Sequence, residues 1–214
     1  MALWWRLIRF GFRLLYNELA FTYDLVSWVV SLGAWRCWVR TSLKHLNAEP
    51  GARILELAHG TGNLQIDLHE AGYRAVGYDL SPAMGRITRR KLQAHHFSPH
   101  LARGRAQHLP FASEMFSSVI STFPTDFIAA PETLNEVYRV LKPGGRLVIV
   151  PNALLVGGGI VKQLLETLYQ ITGQRGASMS SDELGTIFAP FNVEVFEEAC
   201  PRSVVTVIVG RKIE

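Results

Sequence analysis

Beyond Pro50 the chain alternates short β-rich runs with helical patterns, and this alternation leaves few folds open to it. Strands are predicted at Arg53–Ala58, Tyr73–Asp79, His100–Arg103, Phe116–Thr122 and Arg146–Val150, and helices from the Gly60–Asn63 turn to Ala71, from Pro82 to about His95 and over Pro131–Leu141. Ser81 offers an N-cap and Pro82 a first helical position, while Lys142-Pro143-Gly144-Gly145 ends the third helix in a turn. Two further strands, Val193–Glu198 and Ser203–Val209, are joined by too few residues around Pro201 to hold a crossover helix, so they pair antiparallel. The expected architecture is a doubly wound, seven-stranded Rossmann-like α/β sheet, mostly parallel with a C-terminal antiparallel strand, plus N-terminal helices.

With 214 residues the chain is long enough for one domain with an appendage, and 48% apolar against 19% charged residues excludes a disordered chain. Residues 1–44 are predicted to form N-terminal amphipathic and lid helices, and residues 45–214 the α/β domain. Cys37 and Cys200 stand far apart in sequence, and neither has a Cys or His at zinc-ligand spacing. That pattern argues against a disulfide framework and a metal site, and favours a reducing, cytoplasmic location.

The net charge of +4 is concentrated at one end. Residues 1–44 hold Arg6, Arg9, Arg13, Arg36, Arg40 and Lys44 against Glu18 and Asp24, so the remainder of the chain is balanced. All 5 tryptophans, Trp4, Trp5, Trp28, Trp35 and Trp38, lie in the same segment. From Ala2 to Asn17 the arginines recur at helical spacing opposite Trp and Leu, which predicts an amphipathic helix. The arginines interrupt any apolar run that a secretory signal would need, and the uncharged stretch Leu25–Trp35 is about half of a bilayer crossing. Two readings stay open for residues 1–17: a helix lying on an anionic membrane, peripheral on the inner face, or a helix that caps the domain or joins two copies. Because residues 45–214 carry no net charge, nucleic-acid binding is not expected.

The run Glu56-Leu-Ala58-His59-Gly60-Thr61-Gly62-Asn63 falls at a strand-to-helix junction, where glycines admit a ligand to the backbone and a helix N-terminus offers free N–H groups. The next strand ends in Asp79, whose carboxylate can accept from both hydroxyls of a ribose. Together they predict an adenosine site. Gln65 stands where a dinucleotide fingerprint has its third glycine, which argues against NAD and FAD.

This loop resembles the acid-x-Gly-x-Gly-x-Gly motif of class I S-adenosylmethionine-dependent methyltransferases, matched by Glu56, Gly60 and Gly62, with Ala58 in place of the first glycine. The resemblance continues in order. Gly77-Tyr-Asp79-Leu80-Ser81-Pro82-Ala-Met84 is similar to the second motif, whose acid binds the ribose and whose apolar residues pack on adenine. Arg103-Gly-Arg105-Ala106-Gln107-His108-Leu-Pro110-Phe111 resembles the Gly-Asp-Ala-Glu-x-Leu-Pro-Phe segment of the type-11 branch, which includes ubiquinone and menaquinone biosynthesis methyltransferases. Arg105 replaces the Asp that binds the adenine amino group there, so Gln107 or the backbone at Ala106 takes over the acceptor role. Tyr138 to Val148 is close to a further block of the same branch, and Tyr23-Asp24-Leu25-Val26-Ser27 resembles its Tyr-Asp-x-x-Ser stretch, in which the Tyr lies over the cofactor pocket.

The resemblance implies an enzyme that binds S-adenosylmethionine through Tyr23, Glu56, Ala58, Gly60, Gly62, Asp79, Leu80, Met84, Ala106, Gln107 and Thr122. Phe123 and Asp126 follow the strand that faces the transferred methyl group and are candidates for the acceptor side. The acceptor expected is a small hydrophobic molecule, a quinone precursor or lipid-like. The alternative is a non-catalytic protein of the same fold that binds at a membrane surface. No general base stands out: His59 reads as a neighbour of the loop, His95, His96 and His100 as a solvated helix end, and Arg86, Arg89, Arg90 and Lys91 as a solvated face.

Overall fold

The computed structural model describes Gly11, residues 19–156 and residues 181–213. Apart from Gly11, the amphipathic stretch expected at residues 2–17 lies outside the described residues. Helices α1 (Tyr23–Val30) and α2 (Trp35–Arg40) come first, flanked by 3-10 turns at Ala20–Thr22 and Thr41–His45. Then follow β1 (Arg53–Leu57), α3 (Asn63–Glu70), β2 (Arg74–Asp79), α4 (Pro82–Ala94), β3 (Leu101–Arg103), β4 (Phe116–Thr122), α5 (Pro131–Val140), β5 (Leu141–Leu155), α6 (Ser181–Ile187), β6 (Phe191–Cys200) and β7 (Ser203–Lys212). They build a 7-stranded sheet in the order β3-β2-β1-β4-β5-β7-β6. Strands β1 to β5 pair in parallel, and β7 runs antiparallel to both β5 and β6. The seven-stranded, mostly parallel sheet expected from sequence is therefore present.

Period-two alternation distributes the core over both sheet faces. Leu55, Leu57, Val119, Leu147 and Ile149 join Leu134, Val137 and Val140 of α5 in one cluster. Their neighbours point the other way, where Ile54 and Ile120 meet Leu64 and Leu68 of α3, and Val148 and Val150 meet Trp38 of α2. The second helical boundary is set as expected: Ser81 accepts a hydrogen bond from the Met84 N–H at 3.2 Å, with Pro82 in the first turn of α4.

Pairing extends several strands beyond their sequence signals. β5 begins at Leu141 and not Arg146, because Leu141 pairs with Phe116 across an irregularity that absorbs the Pro-Gly-Gly turn. It also runs on through Pro151, where a register shift between Ile149 and Asn152 accommodates the missing N–H, and Asn152–Leu155 then pair with β7. The β6–β7 hairpin turns at Pro201 and Arg202, the latter at φ 56°, and spans more residues than the apolar alternation indicated.

Contrary to the expectation drawn from the cysteine spacing, Cys37 and Cys200 form a disulfide, with Cα atoms 6.0 Å apart. Distance along the chain carries no information about this pair. Helix α2 lies on β5 and β7, where the Trp38 indole N–H donates to Ser203 Oγ at 2.7 Å, and this seats Cys37 at the mouth of the β6–β7 turn. The argument for a reducing compartment loses its basis with it. Among the described residues no helix is long and apolar enough to cross a membrane.

Candidate active site

In the order β2-β1-β4 the chain reverses direction of travel across the sheet beside β1, and a cleft opens at the carboxyl ends of these strands. Its lining includes Glu56, Ala58, Gly60 and Thr61 from the β1–α3 junction, Thr122 from β4, and Tyr23 and Trp35 from the N-terminal helices.

The floor is shaped by backbone geometry. Gly62 lies at φ 79°, and a Cβ there would collide with the Thr88 side chain, so only glycine lets α3 start this close to α4. Ala58 occupies the same left-handed region at φ 55°, where its methyl group costs about 1–2 kcal/mol relative to ordinary backbone. The Asp79 carboxylate closes the loop from β2: Oδ2 accepts from the Gly60 N–H at 3.0 Å and Oδ1 from the Ser81 N–H at 2.7 Å. With two lone pairs on each oxygen, it keeps acceptor capacity for a further donor.

Beneath the loop, Glu56 Oε2 accepts from Gln65 Nε2 at 2.7 Å. Burial pushes the Glu56 carboxyl up to about 8, and the negative charges of Asp79 and Asp67 oppose its ionisation further. At neutral pH it is mostly protonated, and a cation entering the cleft would draw it toward the charged form. His59 is buried beside it. Loss of solvent holds its imidazole below the usual range despite the attraction of Asp79, and its ring is pinned at Nδ1 between the Gly60 carbonyl, 2.9 Å away, and Thr88 Oγ1, 3.2 Å away. That immobilised, neutral ring serves the architecture of the loop.

The roof comes from residues far away in sequence. Tyr23 meets Trp35 edge-on with centroids 6.2 Å apart, and Trp35 stacks on Phe123 at 4.4 Å with planes inclined by 25°. Phe123 directly follows β4 at φ 50° and also touches Trp38. Asp24 fastens this roof to the floor: it accepts from Thr61 Oγ1 at 2.6 Å, Asn63 Nδ2 at 3.0 Å and Lys91 Nζ. Burial alone would raise the Asp24 carboxyl, but those hydrogen bonds and the Lys91 charge hold it below the usual range. Lys91 thus departs from the solvated face expected of it, whereas Arg86, Arg89 and Arg90 are exposed.

Of the candidate residues, Tyr23, Glu56, Ala58, Gly60 and Thr122 line the cleft together, with Gly62 ending the loop and Asp79 immediately behind it. Leu80 is exposed next to Asp79, and Ala106 and Gln107 lie on the loop after β3. Met84 is buried against Ala20, Ala83, Tyr23 and Ile87, supporting the roof and not lining the cleft. Asp126 is exposed on the 3-10 turn Asp126–Ala129. Sequence reading missed the latch made by Asp24, whose signal was the Tyr-Asp-x-x-Ser stretch, and Trp35, for which that stretch carries no signal. It also missed Arg139, whose guanidinium donates to the carbonyls of Phe111 at 2.7 Å and Leu109 at 3.0 Å while paired with Glu136. Glu136 accepts from the Leu109 N–H at 2.7 Å, so α5 holds the loop that carries Arg105, Ala106 and Gln107.

This sheet order, with a cleft at its switch point, is that of a doubly wound α/β scaffold of the class I methyltransferase type. A model of the ubiE/COQ5 methyltransferase family matches residues 12–169, and the chain belongs to that family. A demethylmenaquinone methyltransferase of Beutenbergia cavernae is 39% identical over 138 residues, covering 63% of this chain and 55% of that protein. Another from Deinococcus radiodurans is 31% identical over 190 residues, covering 86% and 78%. The fold is similar to that of a solved SAM-dependent methyltransferase from Thermotoga maritima, with a TM-score of 0.61 at 21% identity, over 90% of this chain and 96% of that chain. The chain spans little more than half the length of the first of these curated relatives.

Proposed function

We propose that this protein transfers a methyl group from S-adenosylmethionine to a small hydrophobic acceptor of the quinone-precursor type. The observation that carries the reading is the hydrogen bond of Asp79 to the Gly60 N–H of a glycine loop that lines a cleft roofed by Tyr23 and Trp35. The family to which the chain belongs, and relatives named demethylmenaquinone methyltransferase, support the acceptor class.

The residues present suit the cofactor. Asp79 would accept from the ribose hydroxyls, the glycine loop would give its backbone close approach, and the buried Glu56 would serve the cationic methionine end. Tyr23 would cover it, Thr122 would stand toward the acceptor, and the loop held by Arg139 would offer Ala106 and Gln107 to the adenine. When bound, S-adenosylmethionine supplies an electrophilic methyl group on a sulfonium whose departure needs no proton. The protein's share is therefore positioning: Trp35 and Phe123 form an apolar, aromatic wall against which a flat acceptor stacks, and the closed roof excludes water. An acceptor hydroxyl must lose its proton for attack from a ring carbon, and no described side chain is assigned that duty. The membrane contact expected of residues 1–17 belongs to this reading, because a long-tailed acceptor resides in a bilayer.

Arg105 in place of an acid and the strained Ala58 favour a second reading, a binding protein without turnover. Calorimetric titration with S-adenosylmethionine, followed by transfer of labelled methyl to a tail-less hydroquinone, decides between them. Binding with transfer establishes the first reading; binding without transfer, or no binding, leaves the second.

A further inference from the structure

Helix α1 is inside out. Its outward positions are Leu25, Trp28 and Val29, which are 64%, 61% and 51% exposed, continued by Phe21 at 75% before it and Leu32 at 45% after it. At 100° per residue the three positions within the helix fall inside an arc of about 100°. The opposite arc holds Tyr23, Asp24, Ser27 and Ser31, and the two serines are 4% and 0% exposed. Ser31 Oγ there accepts from the Trp35 N–H at 2.9 Å, and Asp24 reaches Thr61, so the polar side is committed to the protein interior. A helix in water buries the opposite side, and an exposed patch this apolar marks a contact surface.

We propose that the outer face of α1 docks on an anionic lipid bilayer. Two observations select that occupant. The face carries no charge, and its aromatic residues Phe21 and Trp28 stand among aliphatic ones, the composition that settles into the boundary between headgroups and acyl chains. The segment around it, residues 1–44, contains six bases against Glu18 and Asp24; Arg36 and Arg40 pair with Asp67, Lys44 with Glu198 and Asp24 with Lys91, so its excess positive charge comes from Arg6, Arg9 and Arg13. An apolar face in a segment with that excess, packed beside α4 whose Arg86, Arg89 and Arg90 are exposed, complements a negatively charged leaflet. Since Tyr23 on the same helix lines the cleft, docking holds the cleft mouth at the membrane, where a long-tailed acceptor would be delivered. This last step rests on the function proposed above.

The test is co-sedimentation of the full chain with vesicles of equimolar phosphatidylglycerol and phosphatidylcholine, alongside Leu25→Gln/Val29→Gln, which keeps a helix-compatible, uncharged surface. The expected result is at least a tenfold drop in partitioning for the double variant with its melting midpoint unchanged. Wild-type binding should weaken in high salt, and the blue shift in tryptophan emission on vesicles should diminish in Trp28→Phe. Wild-type protein that stays in the supernatant, or a double variant that binds like wild type, overturns the proposal. So does a dimer in solution that the double variant dissolves, because the occupant is then a second copy. A large drop in the variant's melting midpoint overturns it too, with protein such as residues 2–17 covering the face. Methylation of a tail-less hydroquinone separates the two readings. If wild type fails at it while vesicle binding still depends on Leu25 and Val29, the surface stands and the acceptor reading falls.

Discussion

Asp24 on α1 accepts a hydrogen bond from Thr61 of the glycine loop at 2.6 Å, joining the helix that roofs the cleft to the loop that floors it. Lys91 and Asn63 converge on the same carboxylate, so one side chain couples the N-terminal helices to α3 and α4. Asp24→Ala should keep the sheet folded yet weaken S-adenosylmethionine binding about tenfold, near the lower end for hydrogen bonds to a charged group because this carboxylate is partly solvated. Because its folded-state value lies below the ordinary one, the latch contributes above the usual carboxylate range and is lost as pH falls through the lowered value. Titration calorimetry on both proteins at neutral pH is the check, and equal affinities would show that the latch is idle.

Asp79→Ala removes the proposed ribose acceptor and leaves the N–H groups of Gly60 and Ser81 without their partner. Affinity for S-adenosylmethionine should fall by about 1.5–3 kcal/mol. A folded variant with an unchanged dissociation constant would falsify the assignment.

Glu56 makes both stability and binding depend on pH. Its folded value of about 8 lies above the ordinary 4.5, so between these the native state keeps a proton that the unfolded chain has released. Stability from this group is accordingly greatest below about pH 4.5, declines as pH rises to about 8 and is level beyond. Glu56→Gln should flatten that decline, measured as urea midpoints at about pH 5 and pH 8. A cationic ligand favours the ionised carboxyl, so binding near neutrality should release protons, visible as a buffer-dependent calorimetric enthalpy. A variant that retains the wild-type slope and proton release would assign both to another group.

Two of the loop's three left-handed positions, Ala58 and Gly62, respond oppositely. Ala58→Gly relieves a conformation costing about 1–2 kcal/mol and gives back part of it as backbone entropy, for a net gain of about 0.5–1 kcal/mol. Gly62→Ala adds both that conformational cost and a methyl group in contact with Thr88, for a loss of about 2–4 kcal/mol. Chemical denaturation of both variants gives the signs, and a destabilised Ala58→Gly would mean that the methyl group packs usefully.

Cys37 and Cys200 close a long loop, and a cross-link of that kind contributes about 2–5 kcal/mol. Cys37→Ala/Cys200→Ala should lower the denaturation midpoint, and adding reductant to wild type should have the same effect while leaving the variant unmoved. Thiol titration of the unfolded, unreduced protein should find no free thiol. Two titratable thiols in fresh protein would contradict the pairing.

Local chemistry was legible in the sequence. The alternation of Ile54, Leu55 and Leu57 announced β1, Ser81 and Pro82 opened α4, and the Gly60–Gly62 loop followed by Asp79 located the cleft, because each depends on neighbours within a turn or on a repeating period. The hairpin around Pro201 was legible for the same reason: so short a connection permits only an antiparallel return. Tertiary structure alone decided what long-range packing brings together. Trp35 meets Phe123, Cys37 meets Cys200, Asp24 meets Lys91, and β5 lengthens to Leu155 because β7 lies beside it. Residue type and spacing leave those partners open, since a side chain's nearest neighbours across a sheet are set by the order of its strands and the helices laid over it. The direction in which α1 turns its apolar side belongs to this second group: the sequence shows two faces, and only the anchoring of Asp24 and Ser31 sends Leu25, Trp28 and Val29 outward.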